Sequence, residues 1–183
     1  MPRIALTGSH GVGKSTILTI LKEKLPDYDV ETESLTRKAV KDSSKANFGT
    51  TNTSQRRIAK LYMESFLKAP KKYITSRHMV DVLAYSVYLN KINKNISAYT
   101  FVDIHHKVNE IIKKKIFDLV VYIPIEFPLK EKGKFREGQE NLHYQKDVDI
   151  ILKYLLWDKQ IKYITLIGTV EQRVNNLLKA ING

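Results

Sequence analysis

Two periods of apolar residues follow one another along the chain, one suited to strands and one to helices, and their order sets out the elements. Pro2 to Leu6 is a short apolar strand, and the Ser15 to Leu21 stretch opens an amphipathic helix. Tyr28 to Thr32 predicts a second strand, followed by a helix from about Ser34 to Lys41. Asp42 to Thr53 is polar, with Gly49 and three threonines, and reads as a surface loop. Ser54 to Lys68 carries Ile58, Leu61, Tyr62, Ser65 and Phe66 on one helical face, and Pro70 ends it. Tyr73 to Thr75 is a third strand. Met79 to Leu89 is a helix with Val80, Leu83, Ala84 and Val87 facing inward, and Tyr99 to Lys115 is a longer one. Asp118 to Ile123 is a strand of the buried parallel kind, closed by Pro124. Asn141 to Trp157 is helical, Lys162 to Ile167 is the fifth strand, and Val170 to Ala180 is the last helix.

Five short strands separated by helices predict an α/β fold, a doubly wound five-stranded parallel sheet flanked by helices. Ligands of such sheets sit at the carboxyl ends of the strands. With 183 residues, no repeat, no low-complexity tract and no linker, residues 1–183 read as a single domain.

Composition narrows the chemistry. The chain has no cysteine, which excludes a disulfide framework, a thiolate metal site and a thiol nucleophile. Its first apolar stretch reads as a strand rather than a signal peptide, and no run approaches the about 18 apolar residues of a membrane span. The expectation is a soluble cytoplasmic protein with no membrane partner. Thirty-one Lys and Arg against nineteen Asp and Glu give a net charge of +12. A merely solvated lysine-rich surface is the plainer reading, since the cations are scattered apart from Lys113-Lys114-Lys115. The charge nonetheless keeps nucleic acid open as a partner.

The most informative segment is Gly8-Ser9-His10-Gly11-Val12-Gly13-Lys14-Ser15-Thr16, a full match to G-x-x-x-x-G-K-[ST] between a strand and a helix. The glycines let the backbone curl and turn successive N–H groups onto a polyphosphate. Lys14 reaches the β- and γ-phosphates in such loops, and the Ser15 hydroxyl holds Mg²⁺. The segment predicts binding of ATP with Mg²⁺. His10, inside the loop, is expected to shape it rather than to do chemistry.

Four further segments bear on the reaction. Glu33 and Arg37 follow the second strand four residues apart, so one helical turn puts them on one face. A carboxylate there can orient or deprotonate an acceptor hydroxyl, and an arginine can grip a phosphate; an exposed ion pair is the plainer alternative. Arg77 and Asp81 have the same spacing after the third strand, next to the phosphate-loop strand, and either bind substrate or tie down the helix start. Residues 126–137 carry Lys130, Lys132, Lys134 and Arg136 around Gly133, a composition suited to a short basic lid or to an ordinary solvated loop. Gly168 to Arg173, after the last strand, lies where folds of this kind hold adenine.

With these residues in place the chain resembles the P-loop nucleoside/nucleotide kinase superfamily over nearly its whole length. Within it, Arg77 with Asp81-Val82-Leu83-Ala84-Tyr85 is most similar to the nicotinamide riboside kinase-like group, often labelled AAA-type ATPase and related to thymidylate and deoxynucleoside kinases. The ring-type AAA ATPases match poorly, for the chain lacks a hydrophobic run ending in Asp-Glu and a helical lid domain. The resemblance implies a P-loop NTPase fold and phosphoryl transfer from ATP to a nucleoside or nucleoside monophosphate. It also implies catalytic roles for Lys14, Glu33, Arg77 and Arg136, with Glu33, Arg37, Arg77 and Asp81 holding the acceptor and Glu33 as base. The family usually carries Asp-Arg where this chain has Ser76-Arg77. The acidic work then falls to Glu33 or Asp81, or the metal rests on Ser15, phosphates and water.

Two other readings stay open. One moves the phosphoryl group to the 5′-hydroxyl of DNA or RNA, motivated by the charge. The other is a non-catalytic ATP-binding regulatory module, motivated by Ser76. Of the rest, adjacent His105 and His106 point about 100° apart on a helix and make a poor joint metal site. Trp157, at a helix end, is expected in the core.

Overall fold

The apolar runs fold as parallel strands, the central three covered on both faces. The structure is a computed structural model that describes residues 2–39, 51–93, 96–127 and 140–182. Among these, strands β1 (Ile4–Thr7), β2 (Asp29–Val30), β3 (Tyr73–Thr75), β4 (Leu119–Tyr122) and β5 (Ile164–Thr165) form one parallel sheet in the order β2-β3-β1-β4-β5. Helices α1 (Lys14–Lys24), α2 (Leu35–Ala39), α3 (Asn52–Lys68), α4 (Met79–Asn93), α5 (Ala98–Lys113), α6 (Glu140–Asp158) and α7 (Val170–Asn182) flank it. The expected order of elements is therefore observed throughout.

Alternation along β4 divides the core. Val121 joins Ile4 and Leu6 of β1 and Ile17, Leu18 and Leu21 of α1 with Val174 and Leu177 of α7. Val120 and Tyr122 point the other way, into a larger layer built from α3, α4, α5 and α6. Helix α4 lies inside that layer with Met79, Val80, Val82, Leu83, Ala84, Tyr88 and Leu89 all buried, as a helix apolar on most sides must be. Each fully buried side chain contributes about 1.5–3 kcal/mol by leaving water. The central strands β1, β3 and β4 are covered on both faces, while the edge strands β2 and β5 each keep one exposed residue.

Boundaries differ from the sequence expectations for local reasons. Helix α3 starts at Asn52, two residues early, because Thr51 and Ser54 cap it reciprocally: Ser54 N donates to Thr51 Oγ1 at 3.2 Å and Thr51 N to Ser54 Oγ at 2.9 Å. The second and fifth strands shorten to two residues, each at a sheet edge with a single neighbour. Trp157 is a correction: it is 74% exposed, not in the core, because Leu152, Leu155 and Leu156 supply the inward face of α6. Most of the expected 42–53 loop, and residues 128–137 of the expected lid with Arg136, lie outside the described residues. Among the described residues no helix is long and apolar enough to cross a membrane.

Candidate active site

The chain leaves β1 at Thr7 and turns back into α1 through three glycines with positive φ, Gly8 (146°), Gly11 (80°) and Gly13 (96°). Gly13 sits left-handed at the N-cap of α1. At Gly8 a Cβ would stand 2.5 Å from the carbonyl oxygen of Ile123, so the loop closes onto the end of β4 only without a side chain there. The loop thus brings the N-terminus of an eleven-residue helix to the carboxyl edge of the sheet.

Lys14 lies folded inside this loop, 8% exposed, and its Nζ donates to the carbonyls of Gly8 (2.5 Å) and Ser9 (2.7 Å). Burial, and next the positive charge of Arg77, pull its pKa down to about 7 against Asp81 and Asp149. Among the described residues its hydrogen bonds go to these two carbonyls, partners that an anion can replace. Ser9 Oγ is buried without a hydrogen-bond partner in the same loop, and Ser15 and Thr16 stand exposed at the start of α1. Val12 is buried against the apolar core beneath. His10 anchors the loop to its surroundings: its carbonyl accepts from Gln145 Nε2 at 2.6 Å, and its ring lies 4.9 Å from that of Tyr144 and within 3.2 Å (Nδ1) of the Tyr85 hydroxyl.

Beside the loop, the end of β3 delivers Ser76, Arg77 and His78. Asp81, on the first turn of α4, accepts from Thr7 Oγ1 (2.8 Å), Gly8 N (3.3 Å) and His78 N (2.9 Å), with Arg77 Nη1 at 3.7 Å. Its side chain is fully buried. Burial pushes its pKa up while Arg77, Lys14 and the hydrogen bonds pull it back. These contacts tie Asp81 both to the start of α4 and to the phosphate loop. The guanidinium of Arg77 spreads over the Tyr85 ring, 4.8 Å from its centroid, in a wall that Tyr144 and His10 continue.

The β2 end departs from the sequence expectation. Helix α2 begins only at Leu35, so Glu33 precedes it and the helical spacing to Arg37 does not apply. Glu33 instead pairs with Lys38 at 3.4 Å, 63% exposed, and Arg37 is exposed as well. The half-buried carboxylate here is Glu31, which sequence reasoning passed over. It accepts from the hydroxyls of Tyr73 (2.5 Å) and Thr75 (3.1 Å), and burial raises its pKa. Nearby, Tyr62 Oη and Thr36 Oγ1 lie 3.2 Å apart. A signal was present: Glu31 directly follows the last paired residue of β2, where strand ends face the ligand edge.

On the opposite flank, Arg173 of α7 is buried and donates to the carbonyl of Val12 (2.7 Å) and to Glu126 (2.5 Å). Glu126 also accepts from Gly168 N at 2.9 Å, and its pKa is lowered chiefly by the bond from Arg173. This network joins the phosphate loop, the last strand's exit and the start of residues 126–137. Among the described residues no group of three or more His, Cys, Asp or Glu is placed to hold a metal ion. His105 instead makes a 2.8 Å contact from Nε2 to Lys159 Nζ. The structure thus brings the phosphate loop, Arg77 and Asp81 together, while Glu33 pairs with Lys38 at the start of α2.

A family model described as an AAA domain matches residues 3–173. No curated protein matches the sequence. Among solved structures the chain is similar to a deoxyadenosine kinase from M. mycoides with bound dATP (TM-score 0.68, 16% identity, 100% of each chain covered). It is similar to NadR in complex with NR (TM-score 0.73, 14% identity), covering 98% of this chain and 50% of that one. It is also similar to thymidylate kinase from Candida albicans (TM-score 0.60, 19% identity, 99% and 91% covered). At these identities the likeness is one of fold, the P-loop α/β fold that such kinases share.

Proposed function

The chain belongs to the AAA-domain family, and on that footing we propose that it is an ATP-dependent phosphotransferase acting on a nucleoside or a (deoxy)nucleoside monophosphate. The observation that carries the reading is a pair of basic side chains, Lys14 buried in the phosphate loop and Arg77 partly buried at the end of the adjacent strand, both at the carboxyl edge of the sheet. Three neighbours in fold whose names or ligands are nucleosides and nucleotides support the acceptor class.

The residues suit the chemistry. Mg-ATP, when bound, supplies the transferable phosphoryl group and the charge of the metal. The N–H groups from Gly8 to Thr16 and the α1 N-terminus orient the phosphates. Lys14 exchanges two carbonyl partners for phosphate oxygens, which spares it reorganisation in water. Ser15, exposed at the helix start, is the residue that would hold Mg²⁺, with phosphates and water completing its shell. Arg77 grips the acceptor, and Asp81 positions Arg77. Glu31 replaces Glu33 as our candidate base, being half-buried and held at a strand end. The acceptor oxygen–phosphorus bond forms as the bridging oxygen–phosphorus bond breaks, and the hydroxyl proton passes to the carboxylate. If the acceptor is instead a phosphate, no base is needed and Arg77 carries the binding. Arg136 remains a proposed contributor of positive charge from the 126–137 segment.

The +12 net charge favours a second acceptor of the same reaction, the 5′-hydroxyl of a polynucleotide. Incubation with γ-labelled ATP, Mg²⁺ and a set of nucleosides, nicotinamide riboside, deoxynucleoside monophosphates and a 5′-hydroxyl oligonucleotide tests both. Label on one small acceptor supports the first reading, and label on the oligonucleotide alone the second. ATP binding with no label on any acceptor refutes both in favour of a regulatory module.

A further inference from the structure

Helices α3 and α5 pack side by side, and their outer faces enclose an open groove of about 300 Å³. It is lined by Thr53, Arg56, Arg57, Lys60, Asp103 and Lys107, four cations against one carboxylate. The spacing is helical on both sides: residues 53, 56, 57 and 60 form one row on α3, and 103 and 107 stand one turn apart on α5. The opposite face of α3 turns toward α4, where Gln55 Nε2 donates to Val82 O and Ser86 Oγ, so this groove is separate from the phosphate-loop site.

Its charges are arranged rather than merely solvated. Asp103 holds Lys107 in an ion pair and has Arg56 Nε at 3.8 Å, which fixes two of the cations at the rim. Among the described residues Arg57 has no carboxylate partner, and Lys60 has only the exposed Glu64 at 3.7 Å. The Arg56 guanidinium lies 5.2 Å from the centroid of the Tyr99 ring, which is 69% exposed one turn before Asp103. A concave surface with an excess of one charge concentrates its field and draws in a polyanion. A large exposed aromatic ring at its edge suits a polyanion that also carries flat rings.

We propose that this groove binds single-stranded nucleic acid, its cations taking successive phosphates and Tyr99 stacking on a base. A duplex fits less well, because its bases are already stacked on one another. The site does not rest on the kinase reading, and its residues take no part in the phosphate-loop site.

The test is fluorescence anisotropy with labelled twelve-nucleotide oligo-dT and oligo-U, the matching duplex, and heparin as competitor, over a range of salt. Three variants accompany the wild type: Arg57→Gln with Lys60→Gln, Tyr99→Ala, and a control pair elsewhere, Lys24→Gln with Lys179→Gln. The expected result is single-strand binding that weakens steeply with salt, lost at least tenfold in the groove pair and unchanged in the control. Tyr99→Ala should lose about tenfold for oligonucleotides and nothing for heparin. All variants should keep wild-type melting temperature and ATP turnover. No oligonucleotide binding, equal losses in the two lysine-altered pairs, duplex binding as tight as single-strand binding, or indifference to Tyr99→Ala would each overturn the proposal.

Discussion

Arg173 donates to the backbone carbonyl of Val12 at 2.7 Å across 161 residues of sequence, so the last helix holds the phosphate loop from outside. The same guanidinium reaches Glu126, which in turn accepts from Gly168 N. The loop's shape therefore depends on α7 as well as on its own glycines.

Replacing Arg173 by Gln leaves Val12 O without its donor and Glu126 without its charge partner. A loss of about 1–2 kcal/mol is expected, that of a charge-assisted hydrogen bond to a buried carbonyl, since Glu126 itself stands at the surface, read from urea unfolding. Nucleotide affinity should fall with it. A variant as stable as the wild type would show that the network is dispensable.

Lys14 gives nucleotide binding a pH signature. With a pKa near 7 in the free protein, it is largely neutral at pH 8, and a polyphosphate beside it favours the ammonium. Binding at pH 8 should take up a proton, and binding at pH 6 much less of one. Calorimetry in two buffers of different ionisation enthalpy measures this, and Lys14→Met should abolish the uptake. Equal uptake in that variant would assign the proton to another group.

His78 is buried against Phe117, with ring centroids 5.4 Å apart, and burial lowers its pKa to about 4. Between about 4 and its ordinary 6.5 the unfolded chain binds a proton that the folded one refuses. Stability is therefore complete above pH 6.5 and falls as pH drops toward 4. His78→Gln should flatten that part of the stability profile; an unchanged slope would place the acid sensitivity elsewhere.

The two glutamates after β2 separate the candidate bases. For a hydroxyl acceptor, Glu31→Gln should lower kcat by about 10²–10⁴-fold with a smaller change in KM, while Glu33→Gln should stay within a few-fold of wild type. The reverse order would restore Glu33 to the role.

Much of this was legible in the sequence because it is local. The phosphate loop is written in its glycines and Lys14, and the sheet in runs such as Leu119–Tyr122, apolar throughout because both faces are covered. Strand order was legible where it mattered, β3 beside β1. What was not legible depends on tertiary context. The Glu33–Arg37 spacing assumed a helix that starts two residues later, which hands the strand-end position to Glu31. Trp157 reads as core by residue type, yet three leucines of α6 fill that face first. The contact of Arg173 with Val12 joins two segments whose sequences say nothing of each other.

The central claim is transfer from a nucleotide held on Lys14 to an acceptor held near Arg77. It is tested most directly by ADP release from ATP and Mg²⁺, with and without the labelled acceptor, in wild type, Lys14→Ala and Arg77→Gln. The account predicts release that an acceptor stimulates at least tenfold, lost in Lys14→Ala and with a raised acceptor KM in Arg77→Gln. Release that no acceptor changes, or that survives Lys14→Ala, would contradict it.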